Sequence, residues 1–370
     1  MSEILLPTFT AFILTALSTP LVIKLAKKYG LVDNPRLRPH PAHTHQDTLP
    51  RAGGLPIFLG IVLTALLFIP LTKPLAGIIM GITILLIMGL ADDKLTSFSP
   101  YQRLGLLFLA AAVAVGSGIG ISFMNNPFYG LGLAGTTSML RLDGVVYNFN
   151  LFGPHKIILI ADLFALIWIV AITQIVNWSK GVDGQMPSIT LVTALTLGIL
   201  SLRFYSQGDL NQLNIAVLAF ITAGASLGFL IFNWYPAKII PGFSGSTILA
   251  FMLAVVSILS VAKVATALLV LAIPTADFVY LFFRRIASGR SPVLPGREHL
   301  HHKLLDLGWS HRQISLFYLG GSVILGAVAL AVGTLSKLLA AAAVGAAFLA
   351  FTLWLNFFGG LSKPAGRGNG

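Results

Sequence analysis

Two adjacent carboxylates, Asp92 and Asp93, end an uninterrupted apolar run from Ala76 to Ala91. Such a pair can act as a base, bind a hard divalent cation, or hold basic side chains. At a helix C-terminus the two charges oppose the dipole and each other. They therefore require a cation beside them, from a metal or a basic side chain. Arg103 follows closely, at the head of the next apolar segment. Ser99, Pro100 and Gln102 predict its start: an N-cap, a proline at N1 and a capping box. A polar turn between two spans, with no chemistry, is the plainer alternative.

Further candidates recur along the chain. Asn177 and Asp183 lie around a glycine turn in QIVNWSKGVDGQ, residues 174–185. Asn233 and Ser244 lie in FNWYPAKIIPGFSGS, residues 232–246, whose glycines offer free N–H groups suited to phosphate. Asp277 stands inside an apolar stretch, where a carboxylate is costly and points to function. Arg297, His299, His301 and His302 belong to a basic segment, residues 284–312. Helical spacing puts His299 and His302 on one face and His301 elsewhere. Zinc is disfavoured there, because no carboxylate or thiolate ligand stands nearby; neutral donors among basic side chains suit an anionic substrate. His40, His43 and His45, in a proline-rich loop, read as a solvated basic segment in preference to a metal site.

The elements that position these residues are membrane helices. The chain of 370 residues is 56% hydrophobic and 10% charged, which defines an all-α polytopic membrane protein. The net charge of +12 is no nucleic-acid signature, because the basic residues sit between apolar spans. Cysteine is absent, which excludes disulfides, thiolate metal sites and cysteine nucleophiles. The first span has no basic segment ahead of it and reads as a retained helix. Hydropathy predicts about eleven spans, near 4–27, 52–71, 74–91, 104–123, 157–176, 187–204, 212–231, 246–260, 263–283, 313–333 and 336–358. Seventeen basic residues then fall on one side and six on the other, with Lys24 inside the first span. The positive-inside rule places the N-terminus outside and the C-terminus in the cytoplasm. Asp33, Asp47, Asp92, Asp93, Asp183, Glu298, Asp306 and seven of eight histidines share the cytoplasmic side, which predicts one site built from several loops. An external β-hairpin is expected around Asp143-Gly144. Asp162 reads as structural. Residues 1–358 form one integral membrane domain, and 359–370 a disordered tail.

Taken in order, GLVDNP…LPRAGG, Asp92-Asp93, Asn177…Asp183-Gly184, FNWYPAKI, Pro274…Asp277 and HLHHKLLDLG resemble the polyprenyl-phosphate N-acetylhexosamine-1-phosphate transferases. The HLHHKL form is more similar to the N-acetylglucosamine-1-phosphate branch than to the muramoyl-pentapeptide branch. The resemblance implies a multi-pass enzyme of the inner (plasma) membrane with its active site on the cytoplasmic face. Its partners would be a UDP-N-acetylhexosamine, polyprenyl phosphate and membrane lipids, with no nucleic acid and room for a homodimer. It implies Mg²⁺, held by Asp92, Asp93 and Asn177. It assigns catalysis to Asp92, Asp93 and Asp183. Substrate binding falls to Arg103, Asn177, Asn233, Ser244, Asp277, Arg297, His299, His301 and His302. The chain departs from the family at Phe243, where the family has a metal-binding Asp, and at Lys180, where an acidic residue is common. Gln174 replaces a usual Asn, and Gly296 an Asp. These departures raise the alternative of a degenerate homologue that binds polyprenyl phosphate or nucleotide-sugar without turnover. A transporter is a third reading; it would favour internal repeats and a midplane site, and the sequence shows neither.

Overall fold

The computed structural model describes residues 2–36, 44–45, 47–95, 98–126, 129, 137–150, 154–260, 263–294 and 296–358. His40, His43 and the expected disordered tail lie outside the described residues. The described chain is a helical bundle. In order it runs α1 (Ser2–Tyr29), α2 (Gly54–Phe68), α3 (Lys73–Leu95), α4 (Pro100–Gly116), α5 (Leu159–Trp178), α6 (Gln185–Ser206) and α7 (Gln212–Asn233). Then follow α8 (Gly242–Leu259), α9 (Lys263–Val270), α10 (Ala272–Ala287), α11 (Leu300–Asp306), α12 (His311–Ala331) and α13 (Thr334–Phe358). Apolar segments take this form because a helix satisfies its own backbone hydrogen bonds where no water can.

Among the described residues, eight helices are long and apolar enough to cross a membrane, and the pair α9–α10 forms a ninth candidate bent by 87°. Helices α2 and α4, with 15 and 17 residues, are shorter. The predicted start of α4 is present: Ser99 Oγ accepts from Gln102 N, and Gln102 caps in return. The α9–α10 bend has a local cause. Pro274 lacks an N–H, and its ring excludes the carbonyl four residues back, at the end of α9.

Helix α8 is the axis of the bundle. It is buried from Gly242 to Ile258 and packs against α2, α3, α5, α6 and α7. A helix apolar on every side belongs in such a position. Its approach to α3 is close: a Cβ on Gly89 would come within 2.5 Å of Ser244 Cα. The N-terminus of α8 is thereby pressed against the end of α3 that carries Asp92 and Asp93.

Short ladders complete the fold. Strands β1 (Val32–Asp33) and β2 (Leu49–Pro50) pair and close the base of the first loop. Strand β3 (Phe123–Asn125) pairs with β4 (Met139–Arg141), and β5 (Val146–Asn150) with β6 (Pro154–Ile158), all antiparallel. The hairpin expected at Asp143-Gly144 is not formed. Its flanks are engaged elsewhere: Leu142 N–H donates to Ser122 O, and Val145 O accepts from Leu159 N–H. Asp143 instead takes a two-pronged hydrogen bond from Arg141.

Candidate active site

Separate connections meet at one end of the bundle, as the clustering of polar residues predicts. Thr44 Oγ1 in the first loop donates to Gly181 O at 2.7 Å. Ile240 N–H donates to Pro50 O at 2.9 Å. Tyr101 and Ser291 join the start of α4 to the last loop at 3.0 Å. Ser315 of α12 donates to Asp183 O.

Asp92 and Asp93 are fully buried there, yet their surroundings differ. Asp93 Oδ1 accepts from Arg51 Nε at 2.8 Å and from Phe243 N at 2.7 Å. Its Oδ2 accepts from Ser244 N at 3.1 Å and Ser244 Oγ at 2.7 Å. Four donors fill the lone pairs of a carboxylate. Two of them are α8 N–H groups, so Asp93 caps α8 at the positive end of its dipole. Gly242, at φ +68°, turns the chain into that helix against the Asp93 carboxyl. The N–H groups of GFSGS, expected to be free for phosphate, are thus partly taken by an internal carboxylate. Ser244 serves Asp93 in the same way.

Asp92 Oδ1 accepts from Arg103 Nε at 2.9 Å. Its Oδ2 accepts no hydrogen bond among the described residues, with Arg51 Nη2 3.7 Å away. It is the one oxygen of the pair without a hydrogen bond among the described residues, and it is buried beside the Arg51 guanidinium. Arg51 also lies 3.9 Å from Asp33, and so faces three carboxylates. The sequence offered Arg51 only as part of a motif and a charge count. Its role depends on carboxylates far away in the chain.

Beside this pair, Asn177 Oδ1 accepts from Lys180 Nζ at 2.8 Å and from Ser246 Oγ at 2.7 Å. Lys180 Nζ also donates to Ser246 Oγ at 2.9 Å and Gly242 O at 3.1 Å. Two cations approach the buried Phe243 ring, with Lys180 Nζ 5.6 Å and Arg103 Cζ 5.7 Å from its centroid. Burial, with repulsion from Arg51 and Arg103, lowers the Lys180 ammonium to about 7. An anion bound beside it would restore the charged form.

These donors do not fit Mg²⁺, which takes six oxygens at about 2.0–2.1 Å. Both Asp93 oxygens and Asn177 Oδ1 already accept from protein donors, and an ammonium sits where a cation would. No group of three or more His, Asp or Glu side chains able to hold a metal occurs among the described residues.

Asp183 lies at the start of α6, where Gly184 takes φ +77°. Its Oδ2 accepts from Ala237 N at 3.0 Å. Burial raises its pKa, and the Ala237 N–H offsets this only in part. His45, expected in a solvated loop, is instead drawn in toward Asp33, with Nε2 3.5 Å from Oδ2. Asn233 uses both ends on the backbone: Gly184 N donates to its Oδ1, and its Nδ2 donates to Ile239 O. It braces the Asp183 turn.

Asp277 reaches the histidines. His299 Nδ1 is 2.7 Å from Asp277 Oδ2, and Leu300 N donates to Oδ1 at 3.0 Å. The helical-face expectation fails here, because His299 is the N-cap of α11 and lies outside the helix. Its ring stacks on His301 at 5.4 Å with a 6° interplanar angle, and His302 follows 4.3 Å from His301. All three are buried. Burial, then the neighbouring imidazoles, pushes His301 well below its usual pKa and keeps it neutral. Arg297 is not brought into this group; it forms an exposed pair with Asp306 at 2.6 Å. Arg285, unremarked in the sequence, is buried against Trp178 and braces Pro292 O and Leu294 O.

A polytopic bundle with this polar end is a membrane-embedded transferase in its kinship: the chain belongs to glycosyl transferase family 4, whose profile matches residues 75–261. It is 31% identical to the decaprenyl-phosphate N-acetylglucosaminephosphotransferase of Mycolicibacterium smegmatis, over 87% of this chain and 80% of that protein. The enzyme of the same name from Mycobacterium tuberculosis H37Rv is 32% identical, over 85% and 78%. The undecaprenyl-phosphate alpha-N-acetylglucosaminyl 1-phosphate transferase of Escherichia coli K12 is 26% identical, over 82% and 76%.

Proposed function

We propose that this protein transfers a sugar 1-phosphate, N-acetylglucosamine 1-phosphate by its relatives' names, from a UDP-sugar to polyprenyl phosphate, releasing UMP. The product is a lipid-linked diphosphate sugar for cell-envelope polysaccharide. The observation that carries this reading is a pair of buried carboxylates set among Arg51, Arg103 and Lys180, with one carboxylate oxygen not hydrogen-bonded among the described residues. The acceptor phosphate, with a second pKa near ~6, is largely dianionic at neutral pH. Its oxygen forms the new bond to the β-phosphorus. The bond from that phosphorus to the bridging oxygen breaks, and UMP leaves with the electron pair. The difficulty is bringing two anions together, so positioning and charge neutralisation are the main tasks.

In this reading Asp92 faces the acceptor phosphate, while Arg103 and the histidine loop hold the diphosphate. Asp183 meets the uracil. Asp93, Asn233, Ser244 and Asp277 position these groups. No step is routed through Mg²⁺, because Asp93 and Asn177, two of its three expected ligands, are engaged by protein donors. The eleven-span path counts α2 and α4 as crossings, with the N-terminus outside, the tail in the cytoplasm and the site on the cytoplasmic face of the plasma membrane. Labelling of cysteines introduced at Asn34 and Tyr147 tests this, since only position 147 should react from outside.

The test of function is UMP release by the purified protein from a panel of UDP-sugars with undecaprenyl phosphate. Release from UDP-N-acetylglucosamine is expected. Binding of that nucleotide-sugar with no release under any condition would leave the non-catalytic alternative.

A further inference from the structure

The cationic end of the site contains a feature that the proposed reaction does not explain. Asn177 Oδ1, Ser246 Oγ and Gly242 O surround Lys180 Nζ at 2.8, 2.9 and 3.1 Å. Three oxygen acceptors drawn from the end of α5 and the start of α8 hold one small cation, much as oxygen ligands hold a metal. The position the resemblance assigns to a carboxylate ligand is Phe243, whose ring faces that cation. Phenyl offers no lone pair to a metal, yet its face attracts an ammonium or guanidinium. The two substitutions are thus complementary. Lys180 brings the charge covalently, and Phe243 gives it a face that attracts an ammonium and offers a metal no ligand. Arg51 and Arg103, paired with Asp92 and Asp93, add repulsion against a dication.

We propose that Lys180, seated among Asn177 Oδ1, Gly242 O and Ser246 Oγ, is the resident cation of this centre, so that transfer here requires no divalent metal. The proposal rests on the transferase reading for its chemistry and on the cradle geometry for its cation. Bond making and breaking are unchanged: the acceptor oxygen attacks the β-phosphorus and UMP departs with the bridging oxygen. The charge that builds on the transferring phosphoryl oxygens and on UMP is met by side chains that cannot be chelated away.

Two measurements on the purified full chain test it. Turnover with UDP-N-acetylglucosamine and undecaprenyl phosphate is compared in excess EDTA and in Mg²⁺. Binding of Mn²⁺ is read by electron paramagnetic resonance on the protein without substrates. The wild type should turn over within about twofold in the two conditions and bind no Mn²⁺. Lys180→Met should lose at least about 10²-fold in turnover, with no rescue by Mg²⁺, the scale of removing an electrostatic stabiliser. The double variant Lys180→Asp, Phe243→Asp should bind Mn²⁺, and its turnover should need a divalent ion. Wild-type activity abolished by EDTA and restored by Mg²⁺ would overturn the proposal. So would wild-type Mn²⁺ binding that Asp92→Asn removes, or a folded double variant that binds no Mn²⁺. If the wild type releases no UMP in either condition, the transferase reading fails, and the Mn²⁺ measurement decides the cation independently. If the double variant does not fold, the wild-type measurements decide alone.

Discussion

The two sides of the site treat their carboxylates in opposite ways. On the floor, Asp93 is saturated by Arg51 and the first turn of α8, and binds the bundle's central helix. On the histidine side, Asp277 holds His299 and the start of α11, with His301 and His302 buried nearby and His301 kept neutral by that burial. Both carboxylates are buried acids in recognisable motifs, so residue type does not separate their roles. The donors around them do. An acid whose lone pairs are all filled by one helix end is part of the framework. An acid that orients an imidazole tunes a group that can reach substrate.

The floor offers the harshest test. Asp93→Ala strands Arg51, two α8 N–H groups and Ser244 in a buried setting, so a loss of about 3–5 kcal/mol is expected. It should show as lost monodisperse yield or a large fall in melting temperature. A variant that melts like the wild type would remove Asp93 from the framework.

Asp92 sharpens the contrast because it is the neighbour with an oxygen that accepts no hydrogen bond among the described residues. Asp92→Asn should retain the fold and lower UMP release by about 10²-fold. Equal losses of stability at 92 and 93 would erase the distinction between them. On the histidine side, Asp277→Asn keeps an acceptor for Leu300 N–H but weakens the hold on His299. Turnover should fall by about tenfold, the scale of one hydrogen bond to a charged group, with only a small change in melting. A collapse as severe as that of Asp93→Ala would make the two regions alike.

The smallest effect is expected at Asp183. Burial raises its pKa, so the folded protein binds this proton more tightly than the unfolded chain does. Its charge at neutral pH therefore costs stability, and that cost disappears as pH falls through the raised pKa. Asp183→Asn should melt slightly higher at pH 7, with the gap closing on acidification, while KM for the UDP-sugar rises. A variant that melts lower at pH 7 would reassign Asp183 to the framework.

The sequence by itself determined the helices, the capping box at Ser99 and the gathering of polar loops into one site. These follow from apolar run length, capping chemistry and charge bias, all of which are local. It could not place the Asp143 turn, because the strands there pair outward to Ser122 and Leu159 and not with each other. Nor could it separate Asp92 from Asp93. That difference comes from Arg51, 42 residues earlier, and Phe243 and Ser244, 150 and 151 residues later. Two carboxylates at the end of α3 are unfavourable for that helix alone, and only the packing of the α8 N-terminus against them turns one into a cap. The same packing puts the Lys180 ammonium on Asn177 Oδ1, which the sequence motif assigns to a metal. Which cation answers a buried acid is set by the groups that folding brings within hydrogen-bond reach, and that is a property of the tertiary structure.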